Sequence, residues 1–596
     1  MPHSNPARRF LAAAGSTVLA ASGLIAAAVP AEQRAPQPLD AAPAAALAGG
    51  DSILNMFEWT WNSIAAECAG PLADSGYTYV QTSPPQEHIL GGDTTPGEEN
   101  AWYIHYQPVS YAIESRLGTR AEYADMIAAC EANGIGVIAD VVINHMAAGS
   151  ATETRRGWNG SEYRQFHYPD AGYDASDFHN TGSAYCEIDN YQDRAEVQTC
   201  HLVGLNDLDT SQTDVRETIA AYLEDLMSLG VSGFRVDAAK HLSANDLGAI
   251  MDLVDGDPYI VQEVIGASGE PITEAEYTGI GDVQEFSYSY DLKNHINGGS
   301  EARHLTGLGT SWGYTSPAGV FVANHDTERG SLTMSYKDGQ DYLLGEAFML
   351  AHPFGTPASY TGYAFANSHA APPLNSDGSV VDVDCGNDAF TCIHRSPYMR
   401  GMAGFRAATA GEALVNSWGA GDALAFGRGD SGHAVVNASG SSITQMFTTS
   451  MPDGSYKDVI SRSTVTVSGG TFTATVAAKT ALAIHVGNTS GGGGGTAKDC
   501  VNVSATVSGT NMGDEVYVMG SIPQLGNWTA TSSAHLSGAT YPVWKGTIAI
   551  PAGTTFEYKY VIVRSSGSYT WESIGNRTAT VPSTGCLELN QAWNAA

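Results

Sequence analysis

Between residues 53 and 324, short apolar runs alternate with stretches of helical periodicity, and this alternation limits the fold more than any other feature. Strand-like runs fall at 53–59, 77–81, 136–143, 231–236, 259–264, 282–286 and 320–324, with helical stretches at 62–72, 122–133, 215–229 and 244–254. Such alternation implies βαβ units and a parallel sheet. About eight units in roughly 330 residues predict an α/β fold, a (β/α)8 barrel carrying insertions, over residues 46–403. Residues 146–205 break the rhythm: they are rich in Gly, Asn, Asp and Tyr and lack helical periodicity. They read as a loop subdomain inserted after the third strand. From 404 to 487 the pattern becomes short β segments such as 465–467 and 471–476, an antiparallel β domain. Residues 488–497 form a Gly-rich linker, and 498–596 form a further β module with strands near 516–519, 544–550 and 556–563.

Ahead of the barrel, Arg8-Arg9 precedes an Ala/Leu/Gly-rich run and then Pro and small residues. That is the layout of a secretory leader, here assigned to residues 1–45, and a secreted, extracellular protein is expected. The eight cysteines are an even set, which suits an oxidising compartment. Nearest-neighbour pairing gives Cys68–Cys130, Cys186–Cys200, Cys385–Cys392 and Cys500–Cys586. A net charge of −35 argues against nucleic acid or an anionic membrane as partner and leaves a neutral polymer open. A monomer is the default expectation.

A buried parallel strand reads as a near-continuous apolar run, so ionisable groups at its C-terminal end mark a site. The third strand ends in Asp140-Val-Val-Ile-Asn144-His145. The fourth ends in Arg235-Val-Asp237, followed by Lys240-His241; the fifth ends in Gln262-Glu263, and the seventh in Asn324-His325-Asp326. Closure of a barrel brings these ends around one mouth, so Asp237, Glu263 and Asp326 should converge. A guanidinium beside a carboxylate favours its ionised form, so Arg235 is expected to hold Asp237 charged. Three carboxylates in one mouth suit glycoside hydrolysis, which needs an acid of raised pKa and a carboxylate on the other face of the sugar. A divalent-cation site is the other use of such a cluster. The interspersed Arg235, Lys240, His145 and His325 favour sugar hydroxyls.

These four segments resemble the signature regions of the α-amylase superfamily, retaining glycoside hydrolases on (β/α)8 barrels. With Gln81-Thr-Ser-Pro-Pro, Trp102-Tyr103-Ile-His-Tyr106-Gln107-Pro-Val-Ser-Tyr and Gly204-Leu-Asn-Asp207-Leu, the chain is most similar to the animal-type branch over residues 51–486. The resemblance implies Asp237 as nucleophile, Glu263 as general acid/base and Asp326 as the carboxylate that stabilises the transition state. Arg235 would orient Asp237. His145 and His325 would bind hydroxyls at the cleavage point, and Trp102, Tyr103 and Tyr106 would stack on sugar rings or pack in the core. Gln107, Lys240 and His241 would complete the substrate contacts. A structural Ca²⁺ is implied through Asn144, Asp207 and the backbone carbonyls of Gln198 and His241; relatives often carry Arg at the Gln198 position. Chloride-binding members use a further arginine where this chain has Pro357, so the resemblance leaves chloride in doubt.

The C-terminal module resembles the starch-binding modules of glucoamylases, through Val518-Met-Gly-Ser-Ile-Pro-Gln-Leu-Gly-Asn-Trp528, Trp544-Lys-Gly, Phe556-Glu-Tyr-Lys559-Tyr and Trp571-Glu572-Ser-Ile-Gly-Asn576-Arg. On this resemblance Trp544 and Trp571 would form the stacking platform, with Lys559, Glu572 and Asn576 as hydrogen-bonding groups. Trp528 would serve as platform or core. The implied activity is endo-hydrolysis of α-1,4-glucosidic bonds in starch. An exo-acting oligosaccharide-forming amylase or a glucanotransferase would use the same acids, and a catalytically silent starch-binding protein is the non-enzyme alternative.

Overall fold

The computed structural model describes residues 51–73, 75–91, 100–489 and, with short breaks, 500–594. The expected leader, most of the expected linker and Cys586 lie outside the described residues. Contacts divide the chain into two compact units that separate at residues 491–492, and each is described by itself.

In the first unit eight parallel strands close into a barrel. They are Ile53–Met56, Tyr79–Thr82, Gly136–Val141, Gly233–Val236, Tyr259–Gln262, Asp282–Gln284, Ala318–Val320 and Thr356–Thr361. Each pairs with the next in sequence, and the eighth pairs with the first. Most strands are shorter than the apolar runs that announce them: the first, third, fifth and sixth lose the last residues of the run, and the second and fourth its first residues. The seventh strand lies earlier than expected, so Asn324-His325-Asp326 falls in the loop after it. The eighth strand, Thr-Pro-Ala-Ser-Tyr-Thr, was not expected from the sequence: it carries Pro357, which cannot donate to a ladder, and no aliphatic run.

The register fixes the site. Asp140 stands opposite Arg235 and Arg235 opposite Val261, so three successive strands end level. The helix Thr213–Ser228 leads into the fourth strand and buries Val215, Ile219, Tyr222, Leu223 and Leu226 along one face. At Gly233 a Cβ would stand 2.4 Å from the Tyr259 carbonyl, so only glycine lets the fourth and fifth strands approach here. Inside the barrel, Ile53, Tyr79, Ile138, Tyr259 and Val261 form a separate small core.

The inserted subdomain is closed at its base by a two-residue antiparallel ribbon, His145–Met146 against Asn206–Asp207. It contains the short helix Arg194–Thr199 and the Cys186–Cys200 disulfide. Cys68–Cys130 and Cys385–Cys392 are also formed. The boundary expected at 404 falls inside the helix Pro397–Ala408. That helix buries Met399, Met402 and Phe405 in one core with Leu424, Phe426 and Val436 of the β domain, so helix and β domain form one packing unit. The domain's main sheet comprises Leu414–Ala420, Ala423–Arg428, Gly432–Asn437 and Thr480–His485.

The second unit is all-β. Strands from Cys500–Thr506 to Leu587–Ala592 enclose a core that includes Val501, Val516, Val518, Trp544, Tyr560 and Ile562.

Candidate active site

Arg235 is 1 % exposed and is the hub of the barrel mouth. Its Nη1 lies 2.7 Å from Asp237 Oδ1 and 2.9 Å from Asp140 Oδ1; its Nη2 lies 3.1 Å from Glu263 Oε2. The fourth strand ends at Val236, and Ala238 then adopts a left-handed conformation (φ 50°). A non-glycine residue pays for that geometry, and here it turns the Ala238 N–H onto Glu263 Oε2 at 2.8 Å. Asp326 is set by an Asn turn: Asn324 Oδ1 accepts the N–H groups of Asp326 at 3.1 Å and Thr327 at 2.8 Å. The structure therefore brings Asp237, Glu263 and Asp326 together.

The electrostatics differ from expectation. Burial pushes the Asp237 carboxyl well above the usual carboxylate range, helped by the charges of Glu263, Asp140 and Asp326, and Arg235 opposes this without reversing it. Burial and the Glu263 charge push Asp326 up to about 7. A single guanidinium cannot neutralise several buried acids, so the cluster as a whole retains protons near neutral pH.

His325 is sandwiched between Phe57 (centroids 4.8 Å apart, 7° between planes) and Tyr106 (5.0 Å, 20°). Its Nε2 stands 3.2 Å from Asp326 Oδ2, and burial with the nearby Arg235 and Arg329 charges depresses its pKa far below the usual value. The Tyr106 hydroxyl donates to Asp140 Oδ2 at 2.9 Å. His145 Nε2 donates to the Tyr106 carbonyl at 3.1 Å, and burial depresses His145 to about 4. Trp102, Tyr103 and Tyr106 are mostly buried in the 3-10 turn Trp102–Tyr106, so they are packed parts of the wall. Gln107, at the end of that turn, is half-buried. Lys240 departs from its expected role: its ammonium pairs with Glu270 and donates to the Ile265 carbonyl at 2.6 Å.

Asn144 and Asp207 lie side by side, Nδ2 to Oδ1 3.3 Å. His241 Nδ1 donates to the Val197 carbonyl at 3.0 Å and Gln198 Nε2 to the Leu242 carbonyl at 3.3 Å, so the end of the helix Arg194–Thr199 docks on the turn after the fourth strand. His179 Nδ1 contacts Asp207 Oδ2 at 2.8 Å, and burial pushes Asp207 up to about 7. Among the described residues no group of three or more His, Cys, Asp or Glu side chains is placed to hold a metal. Asp207 with amide and carbonyl oxygens is an all-oxygen set with one carboxylate, chemistry that fits a hard cation.

In the C-terminal module two expectations are corrected. Trp544 is 6 % exposed and packed in the core, where its ring cannot face a ligand. The indole beside Trp571 is Trp528, with centroids 6.3 Å apart at 44°, and Trp571 is 41 % exposed. Glu572 is buried: its carboxylate accepts from Arg577 Nη2 at 2.5 Å, the Tyr560 N–H at 3.0 Å and the Asn594 N–H at 2.9 Å. Its hydrogen-bonding capacity is thus spent inside the module. Lys559 Nζ donates to the Glu572 carbonyl at 3.3 Å, and the exposed Asn576 donates to Glu557 Oε2 at 3.0 Å.

Sequence reasoning gave no role to Asp140, Phe57, Ala238 or Arg329. Asp140 carried a signal, a charge inside a buried strand. Phe57, Ala238 and Arg329 carried none that local pattern could supply.

Profiles for the α-amylase catalytic domain, the α-amylase C-terminal all-β domain and a starch-binding domain match residues 103–263, 418–487 and 500–590. An α-amylase of Streptomyces violaceus is 45 % identical over 570 residues, covering 93 % of this chain and 96 % of its own. An α-amylase of Thermomonospora curvata is 41 % identical over 578 residues, with 91 % and 92 % covered. Among solved structures, a mutant of α-amylase I from Eisenia fetida in complex with maltohexaose is similar at TM-score 0.69 and 34 % identity, over 74 % of this chain and 97 % of that one. With such identity over nearly its whole length, and with three acids converging at the mouth of a parallel barrel, the chain belongs to the α-amylase family of glycoside hydrolases.

Proposed function

We propose that this chain hydrolyses internal α-1,4-glucosidic bonds of starch and related glucans with retention of anomeric configuration. The observation that carries this reading is the pair Asp237 and Glu263 held on the two Nη atoms of Arg235. Two carboxylates gathered on one guanidinium supply the nucleophile and the acid/base that a retaining double displacement needs. Asp237 attacks the anomeric carbon and forms the glycosyl-enzyme while Glu263 gives its proton to the departing glycosidic oxygen. Glu263 then takes a proton from the water that releases the sugar. Asp326 and His325 grip ring hydroxyls and stabilise positive charge as it develops, and the Ala238 N–H and Arg235 fix the reacting carboxylates in place. Attack requires the Asp237 carboxylate, the form that the Arg235 guanidinium favours against burial. Trp102, Tyr103, Tyr106, Gln107, His145 and His241 shape the walls.

Calcium, held by Asn144, Asp207 and the carbonyls of Gln198 and His241, would supply a structural clamp between barrel and inserted subdomain. Trp528 and Trp571 offer a stacking platform for glucan, with Lys559 and Asn576 beside it, so that the linked module raises the local concentration of enzyme on starch. The N-terminal leader pattern and the three disulfides support secretion.

The test is Glu263→Gln. Hydrolysis of soluble starch should fall by roughly 10³-fold or more, while adsorption to starch granules stays at the wild-type level. Wild-type-like turnover in that variant would remove Glu263 from the acid role. In the parent enzyme, a fast fall in iodine staining with mixed oligosaccharides is expected; slow viscosity loss with one dominant short product would favour the exo-acting reading.

A further inference from the structure

Arg329 follows Asp326 by three residues, and its side chain is only 4 % exposed. Its Nη1 donates to Glu328 Oε1 at 2.7 Å and to the His325 carbonyl; its Nη2 donates to the Tyr363 hydroxyl at 3.0 Å, and its Nε to the Ser368 carbonyl at 3.1 Å. That same Ser368 carbonyl accepts the Trp102 indole N–H at 3.0 Å. The guanidinium carbon lies 4.6 Å from the Phe365 ring centroid and 4.7 Å from that of Trp102, within cation–π range of both.

We infer that Arg329 is a positioning residue for substrate binding, which ties the Asp326 loop, Trp102 and the segment 365–370 into one wall beside the acids. This deepens the proposed hydrolase reading and rests on it. An ion pair with Glu328 would need one direction of the guanidinium; here the donors point in several, two of them to backbone carbonyls of different segments. Glu328 is in turn held by the Tyr360 hydroxyl of the eighth strand at 2.7 Å, so the charge is neutralised on the barrel side. The segment has further anchors: the Tyr363 hydroxyl donates to the Ala370 carbonyl at 2.6 Å, and the Phe365 N–H donates to the Tyr336 hydroxyl at 2.9 Å. Its His369 ring stands 5.9 Å from Tyr103, so the segment meets the aromatic turn at two points. Lysine cannot reproduce this planar fork.

The experiment is steady-state kinetics on maltoheptaose for the full chain, with thermal unfolding as the control. Arg329→Lys keeps the charge near Asp326 and loses the fork; KM should rise about tenfold with kcat within about threefold, the loss of one or two charge-assisted contacts. Phe365→Leu removes one face of the stack and should raise KM about threefold, in the same sense. A lower unfolding temperature with KM unchanged in both variants would mean an ion pair of structural value alone and would overturn the inference. A fall in kcat with KM unchanged would place Arg329 in the chemistry and overturn it equally. Should Arg329→Lys fail to fold, Phe365→Leu decides, since an unchanged KM there contradicts the wall. An inactive parent enzyme would instead contradict the hydrolase reading itself.

Discussion

At the barrel mouth Arg235 is 1 % exposed and contacts three carboxylates, whereas in the C-terminal module Trp571 leaves 41 % of its surface open, with Trp528 beside it. The first arrangement removes charge from water and holds its acids on one buried guanidinium. The second keeps an apolar face in water for a ligand to cover. Bond cleavage needs charge that is preorganised in a water-poor site. Adsorption to a polymer needs only a flat ring whose exposure is relieved on contact. Both regions meet the same polymer under the proposed function, and the difference in their construction follows from what each does to it.

The largest effect that would sharpen this contrast is at the mouth. Asp237→Asn keeps the shape and removes the proposed nucleophile, so kcat on soluble starch should fall by about 10⁴-fold with granule adsorption unchanged. Adsorption falling in parallel would mean that the two regions do not act separately. Next is the distinction between the two indoles of the module. Trp544→Ala opens a cavity in its core and should cost about 3–5 kcal/mol of that module's stability, measured by denaturant unfolding. Trp571→Ala should leave stability nearly untouched and weaken granule adsorption by about 1–2 kcal/mol, roughly tenfold. If Trp544→Ala folds normally and loses adsorption, the assignment of core and platform is reversed.

A further prediction compares Asp237 with Glu346, a buried acid with no guanidinium among the groups that set its pKa. Burial pushes Glu346 of the helix Gln340–Ala351 up to about 8. Its folded pKa lies above its unfolded one, so the folded state holds the proton longer. Stability from this group is therefore full below about pH 4.5 and falls as pH rises towards 8, by up to about 1.4 kcal/mol per pH unit. Glu346→Gln should flatten that limb in unfolding measured from pH 5 to 8. An unchanged slope would show that Glu346 is not held as the neutral acid.

The parts of this molecule that sequence makes legible are those where chemistry forces an unusual residue into a regular pattern. Charges at the ends of apolar runs located Asp237, Glu263 and Asp326 because a buried strand tolerates them only at a site. Alternation located seven of the barrel strands, and Pro357 hid the eighth. The electrostatic balance was not legible: the sequence places Arg235 beside Asp237 but carries no sign that Asp140 and Glu263 share the same guanidinium. In the module, period-2 alternation would have placed Trp544 on the inner face with Ile548, while Trp528 sits in the 3-10 turn Pro523–Trp528, where alternation says nothing. Glu572 reads as a surface acid until Arg577 is seen folded back onto it. Contacts between distant segments, such as Arg329 with Trp102 and Ser368, leave no local trace at all.

The measurement that tests the central claim most directly is the anomeric configuration of the first products, followed by NMR during hydrolysis of a defined maltooligosaccharide. With Asp237 and Glu263 both on Arg235, the newly formed reducing ends should appear in the α configuration and only then mutarotate. First-formed β anomers would mean a single displacement by water, and would contradict the assignment of Asp237 as the nucleophile.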